Sequence, residues 1–212
     1  LQPRMGDPVP GLTAQEMAEF LAGRDEFNHL LEEPEGLGPI FNDASCAQCH
    51  NAPAIGGAGA KTVTRFGKKA DGINPFDPLE QFGGSLLQSS LIAGWDPAIY
   101  GDDIPAEADV TALRITPQSF GMGLVELIPD AQIQANVGSS PHVNGFVRWV
   151  DPVEGGGQRA GRFGWKGGVA TTLTFSADAS ANELGLTNQF FPVENAPKGD
   201  VSLLAQLDTV AD

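Results

Sequence analysis

The chain has 212 residues, 41% of them hydrophobic, which is enough to bury one substantial core or two small ones. Its 27 glycines and 16 prolines follow no fixed period, so a collagen-like repeat is excluded and long ordered loops are expected. A formal charge of −15 repels phosphate backbones and anionic lipid heads, which argues against nucleic acid and acidic membrane surfaces and leaves a basic partner open.

No apolar run approaches the length needed to cross a bilayer, and Leu1-Gln2-Pro3-Arg4 lacks the charged and apolar parts of a signal peptide. Pro8-Val9-Pro10-Gly11 reads as extended. Thr13 and Glu16 then fit a capping box, and Met17, Phe20 and Leu21 follow at helical spacing, predicting an amphipathic helix. A second short helix is expected from Asp25 to Leu31, after Gly23. His29 lies there among Glu32, Glu33 and Glu35 and reads as a solvated surface histidine, with haem ligation the lesser alternative. Gly36 to Pro39 and Asn42 to Ser45 read as loops.

Cys46-Ala47-Gln48-Cys49-His50 follows, and it holds the chain's only two cysteines. Thiols three positions apart with a histidine next in line can place two sulfurs and an imidazole on one face of a helical turn. That is the attachment pattern for haem c, with Cys46 and Cys49 bonded to the porphyrin vinyl groups and His50 as the proximal iron ligand. Three other uses fit less well. A disulfide here would close a loop of two residues and constrain almost nothing. A thioredoxin-like redox pair wants a preceding strand where this chain has a loop. A zinc site needs a fourth ligand, and no second Cys/His pair exists. Because c-type attachment takes place outside the bacterial inner membrane, the motif implies a periplasmic protein.

Beyond it, Pro53 and the small residues to Ala60 suit chain passing close against a flat cofactor. Val63 to Phe66 reads as a strand. Lys61, Arg65, Lys68 and Lys69 form the one basic cluster of an acidic chain; each is either a haem propionate partner or part of a solvated loop. Leu86, Leu87, Leu91 and Ile92, ending at Gly94, predict a short buried helix. The stretch 96–109 is acidic and broken by proline; it could hold calcium, but the regular calcium-loop spacing is missing, so a surface loop is the main reading.

In the stretch 114–129, Met122 between two glycines is the best-placed sixth ligand for iron, against its ordinary use as core filler. If the sixth position is open instead, Glu126 and Arg114 supply a base and a cation suited to peroxide cleavage; either equally reads as a paired structural charge. A short helix is expected from Asp130 through Ile133 and Val137. His142 opens a strand to Val150, Gly155-Gly156-Gly157 turns, and a partner strand runs from Arg159 to Trp165. His142 ranks below Met122 as a distal ligand. A helix through Phe175, Asp178, Ala179 and Leu184 ends at Gly185. Val201, Leu204, Leu207 and Val210 start an amphipathic helix that stops at Asp212 without a cap.

Phe41-Asn42 before the cysteine motif, Asn51 to Gly57 after it, Gly121 to Pro129, Arg162 to Lys166 and Asn182 to Asn188 together resemble the DUF1111 or DHOR family. Its members are described as di-haem peroxidases or thiol oxidoreductases, distantly related to bacterial cytochrome c peroxidase and the MauG-like proteins. The resemblance implies a mostly α-helical, cytochrome c-like haem domain with long Gly/Pro-rich loops and a few short strands. It also implies a second haem motif downstream, which these residues do not contain. Residues 1–212 are therefore expected to be a single N-terminal haem domain of a longer di-haem protein. Its partners would be an electron-donor or acceptor redox protein and a second haem domain. Trp165 would lie between the haems and carry an electron, or else be a packed aromatic. The expected function is periplasmic electron transfer joined to peroxide reduction; a mono-haem electron carrier is the alternative, and a haem-free structural or binding module is a third reading.

Overall fold

The computed structural model describes residues 3–69 and 76–207. In chain order its elements are α1 (Ala14–Asn28), β1 (Ile40–Phe41), α2 (Cys46–Cys49), β2 (Thr62–Gly67), β3 (Ser90–Leu91), α3 (Pro97–Tyr100), β4 (Val110–Ile115), α4 (Met122–Glu126), α5 (Asp130–Gln134), β5 (Trp149–Val150), β6 (Arg159–Ala160), α6 (Thr172–Leu184) and α7 (Val201–Leu207). The strands pair as three antiparallel two-stranded sheets, β1 with β3, β2 with β4, and β5 with β6. The longest ladder, β2 with β4, sets Thr62 opposite Ile115 and Gly67 opposite Val110.

The expected mostly α, cytochrome c-like fold is not what forms. Helix accounts for 31% and strand for 15%, a weakly mixed α/β content with no clear haem-domain fold. Glycine and proline break the chain so often that, among the described residues, only α1 and α6 exceed two turns. No helix among the described residues is long and apolar enough to cross a membrane.

Two compact units divide the chain. Unit 1 comprises residues 1–120, 181–187 and 193–212, and unit 2 comprises residues 121–180 and 188–192. Unit 1 buries Ile40, Phe66, Leu79, Leu86, Ile92 and Leu207; unit 2 buries Ala160, Phe163, Ala170 and Ala177. The charge is unevenly split. Unit 2 has five carboxylates against four cations, so all but one of the fifteen net negative charges belong to unit 1.

α1 begins as expected: Oγ1 of Thr13 accepts from the Glu16 amide, and the Glu16 carboxylate accepts from the Thr13 amide at 2.7 Å. It does not break at Gly23, so the separate helix expected from Asp25 is the second half of α1. The buried helix expected over 86–94 is absent. That stretch is extended, because its backbone pairs elsewhere: Leu87 N donates to Thr64 O at 3.1 Å and Ile92 N to Pro39 O at 3.0 Å. The strands expected over 142–150 and 159–165 shorten to β5 and β6. α6 stops where expected, with Gly185 at φ 71°, a left-handed conformation that glycine adopts without strain. There the chain also passes so close that a Cβ on Gly38 would strike the Gly185 backbone. α7 covers Val201, Leu204 and Leu207, whereas Val210 lies outside the described residues.

Candidate functional site

Ser45 starts the turn that carries the two cysteines. Its side chain accepts from the Gln48 amide at 3.3 Å, its backbone is extended, and the four residues of α2 follow as one helical turn. The His50 amide closes the turn onto Cys46 O at 2.9 Å. Cys46 and Cys49, at i and i+3, share a face; both are half-buried free thiols. Burial pushes the Cys46 thiol up. It pushes Cys49 up to about 11, with the Lys61 ammonium opposing and the Asp43 and Glu183 carboxylates adding to it. Both sulfurs are therefore protonated near neutral pH in the free chain, unlike the low-pKa thiolate of a disulfide oxidoreductase.

His50 is held from several directions. Its Nδ1 lies 3.2 Å from Gly57 O and 3.4 Å from Ser119 Oγ. It also meets the backbone of Pro117, which has no N–H and so offers its carbonyl. The Phe27 ring, from the last turn of α1, stands edge-on to the imidazole with centroids 5.9 Å apart. Burial lowers the His50 pKa, against the raising effect of the two carbonyls, so the ring is neutral near pH 7. A carbonyl only accepts. The hydrogen consequently sits on Nδ1, and Nε2 keeps the lone pair that a metal needs.

Gly57 and Gly59, after the motif, lie against the chain's own backbone. A Cβ at Gly59 would collide with Cys49 O, and one at Gly57 with Ala52 O. This clearance lets Ala52 and Ala58 exchange backbone hydrogen bonds of 2.7 and 2.8 Å, and lets Gly56 N reach His50 O at 2.9 Å. β4 and the turn after it close the site from below: Gly59 N donates to Thr116 O at 3.2 Å and Ser119 N to Gly56 O at 2.8 Å.

Of the basic cluster, Lys61 reaches the residues just before α2, where its ammonium bonds Asp43 Oδ2 at 2.9 Å and the Asn42 carbonyl. The same Asp43 oxygen lies 3.6 Å from Cys49 Sγ. Arg65 donates to Ser85 Oγ at 3.3 Å, and the Lys68 amide pairs with Asp77. Carboxylates of the stretch 96–109 turn to backbone amides. Asp96 caps α3, Asp102 accepts from Gln88 N and Lys198 N at 3.1 Å each, and Asp109 accepts from Lys69 N at 2.8 Å. His29 bonds Glu35 at 3.0 Å on the surface, and His142 is exposed in a turn.

Arg114 lies in unit 1, on β4 opposite Val63. Met122, Glu126 and Trp165 belong to unit 2. Met122 opens α4, half-buried, behind Gly121 in a left-handed conformation. The Glu126 carboxylate accepts from Thr172 Oγ1 at 2.6 Å and Thr172 N at 2.7 Å, at the start of α6. These two bonds hold its carboxyl below the usual range. Trp165 stands on the Gly164–Gly167 turn between the bridged residues Phe163 and Val169 and is 55% exposed.

The guanidinium that organises this part of unit 2 is Arg162, to which sequence reasoning assigned no role. Its side chain is 3% exposed; Nη1 donates to the carbonyls of Val125, Glu126 and Ile128 at 3.3, 3.1 and 2.6 Å, and Nη2 bonds Asp130. Phe27, Pro117 and Ser119 were missed as well, since nothing in their spacing ties them to His50.

Among the described residues no three His, Cys, Asp or Glu side chains come together as a metal site. Two thiols and one imidazole nitrogen fall one donor short of a closed, four-ligand structural zinc site. They do suit a group that brings four ring nitrogens of its own and takes two sulfurs as covalent anchors. A scan against family models, a search of curated proteins and a search of solved structures each found no match to this chain.

Proposed function

We propose that this chain is a c-type haem protein of periplasmic electron transfer, with Cys46 and Cys49 as the thioether anchors and His50 as the proximal iron ligand. The observation that supports it best is the state of His50: its Nδ1 lies 3.2 Å from the Gly57 carbonyl, which only accepts, and burial lowers its pKa, so the ring is neutral near pH 7 with the hydrogen on Nδ1. Haem c supplies a one-electron iron couple when bound. The chain's own residues hold the imidazole in one tautomer, keep both thiols protonated before attachment, and surround the turn with acidic charge. With nearly all the net negative charge in unit 1, a basic redox protein is the matching partner, since complementary charge speeds encounter.

Electron transfer is preferred over peroxide reduction for a specific reason. Glu126 is bonded twice at the start of α6 and is held ionised, which makes it a weaker base and gives it a capping role. Membership of a longer di-haem protein, with a second haem domain as partner, rests on the resemblance of the motif stretches described above.

The test is intact mass and optical spectroscopy of the chain exported to the periplasm alongside a haem-attachment system. A covalent gain of one haem, absent from a Cys46→Ser/Cys49→Ser variant, is the expected result. A low-spin spectrum with a methionine band supports Met122 as sixth ligand and a carrier role. A high-spin ferric spectrum altered by peroxide supports the peroxidase alternative, with Glu126→Gln and Arg114→Met as its probes. His50→Ala should lose normal ligation. No added tetrapyrrole on the intact chain would refute the whole assignment.

A further inference from the structure

Ser119 is tied to the attachment site by two contacts. Its amide donates to Gly56 O at 2.8 Å, which fixes the residue under the loop that follows the motif. Its hydroxyl oxygen then lies 3.4 Å from Nδ1 of His50, beside Gly57 O at 3.2 Å from the same nitrogen. The carbonyl can only accept, so Nδ1 carries the hydrogen and faces the Ser119 oxygen as a donor. Within this cluster the hydroxyl is the one acceptor that belongs to a side chain, and so the one that substitution can remove while the backbone acceptors stay.

A metal-ligating imidazole gives more electron density when its other N–H meets stronger acceptors, and a more electron-rich ligand favours the oxidised metal. We infer that Ser119 is a positioning residue for His50, and that through Nδ1 it tunes the reduction potential of an iron held at Nε2. This rests on the haem c reading. Ser119 holds its place through its own backbone, so the side chain acts on the imidazole without carrying the fold of the loop.

The experiment uses the full chain in two states with Ser119→Ala, Ser119→Thr and Ser119→Asp. In the haem-free chain, the proton resonance of His50 Nδ1–H is read by NMR; it should move upfield in Ser119→Ala and return in Ser119→Thr. In the haem-loaded chain, the midpoint potential should rise in Ser119→Ala, return in Ser119→Thr and fall in Ser119→Asp. The expected shift is on the order of tenfold in the oxidised-to-reduced ratio, about 59 mV for one electron. A purely structural serine would not yield that ordered series at unchanged thermal midpoint. Attached haem with an unchanged potential in all three variants overturns this inference alone. No attached haem in any variant overturns the underlying reading and this one with it, whatever the NMR shows.

Discussion

Replacing Arg162 by methionine tests the physical account of unit 2 most directly. The guanidinium is 3% exposed and Asp130 is 23% exposed, so the substitution breaks a largely buried ion pair and removes donors from three carbonyls. Losing one partner of a buried pair costs about 3–5 kcal/mol. Two features place Arg162→Met near the lower end of that range. Arg159 Nε remains 3.7 Å from Asp130 Oδ2, and the exposed carbonyls of Val125 and Ile128 can turn to water. The expected loss is therefore about 3 kcal/mol. Urea unfolding followed by the fluorescence of Trp149 and Trp165, in a Trp95→Phe background, reads it. Lysine has no planar fork to reach several acceptors at once, so Arg162→Lys should recover less than half of the loss. A destabilisation under about 1 kcal/mol, or full recovery by lysine, would show that the fork is not what holds residues 125–130.

Further expectations concern the turn and its surroundings. Gly59→Ala should destabilise by about 2 kcal/mol in thermal unfolding, because a Cβ meets Cys49 O, whereas Gly145→Ala, with open space around it, should be neutral; equal effects would defeat the steric argument. With Cys49 raised to about 11, alkylation of the haem-free chain at pH 8 should be far slower than of an unfolded peptide of the same sequence and should climb with pH toward that value; peptide-like rates at pH 8 would contradict the burial. Glu126 has a depressed pKa in the folded chain, so its contribution is present above the ordinary carboxylate range and is lost as pH falls through the depressed value. Glu126→Gln should accordingly flatten part of the acid limb of a stability-against-pH curve, and an unaltered limb would count against the Thr172 bonds. His29→Ala should leave stability and any haem spectrum unchanged, since its bond to Glu35 is exposed; a changed spectrum would revive its candidacy as a ligand.

What could be read in advance was local. Thr13 with Glu16 announced the start of α1, and Gly185 the end of α6, because a cap is settled by residues within a turn of it. Cys46, Cys49 and His50 likewise formed one turn as their spacing implied. Gly23 misled because an interior glycine costs only about 1 kcal/mol, which a long helix absorbs. Leu86, Leu87, Leu91 and Ile92 suit either period, and what decided between them was pairing with Thr64 and Pro39, residues far away in the chain. Distance along the chain also hid the neighbours of His50. Ser119 follows it by dozens of positions, and no periodicity connects a serine in one turn with an imidazole in another. The same limit hid Arg162, whose acceptors are backbone oxygens and leave no mark on residue type.

The clearance at Gly59 bears on the order of events at the motif. Because Ser45 caps α2, the Gly57 carbonyl holds His50 and Gly59 lies against Cys49 O, the two sulfurs and the imidazole are ordered by folding itself. On the proposed reading, a haem arriving there would find little rotational freedom left to quench, and its affinity would be correspondingly less diminished by entropy. The same packing has an opposite face: on that reading, a guest of slightly different shape would meet a backbone already closed on itself at Gly57 and Gly59.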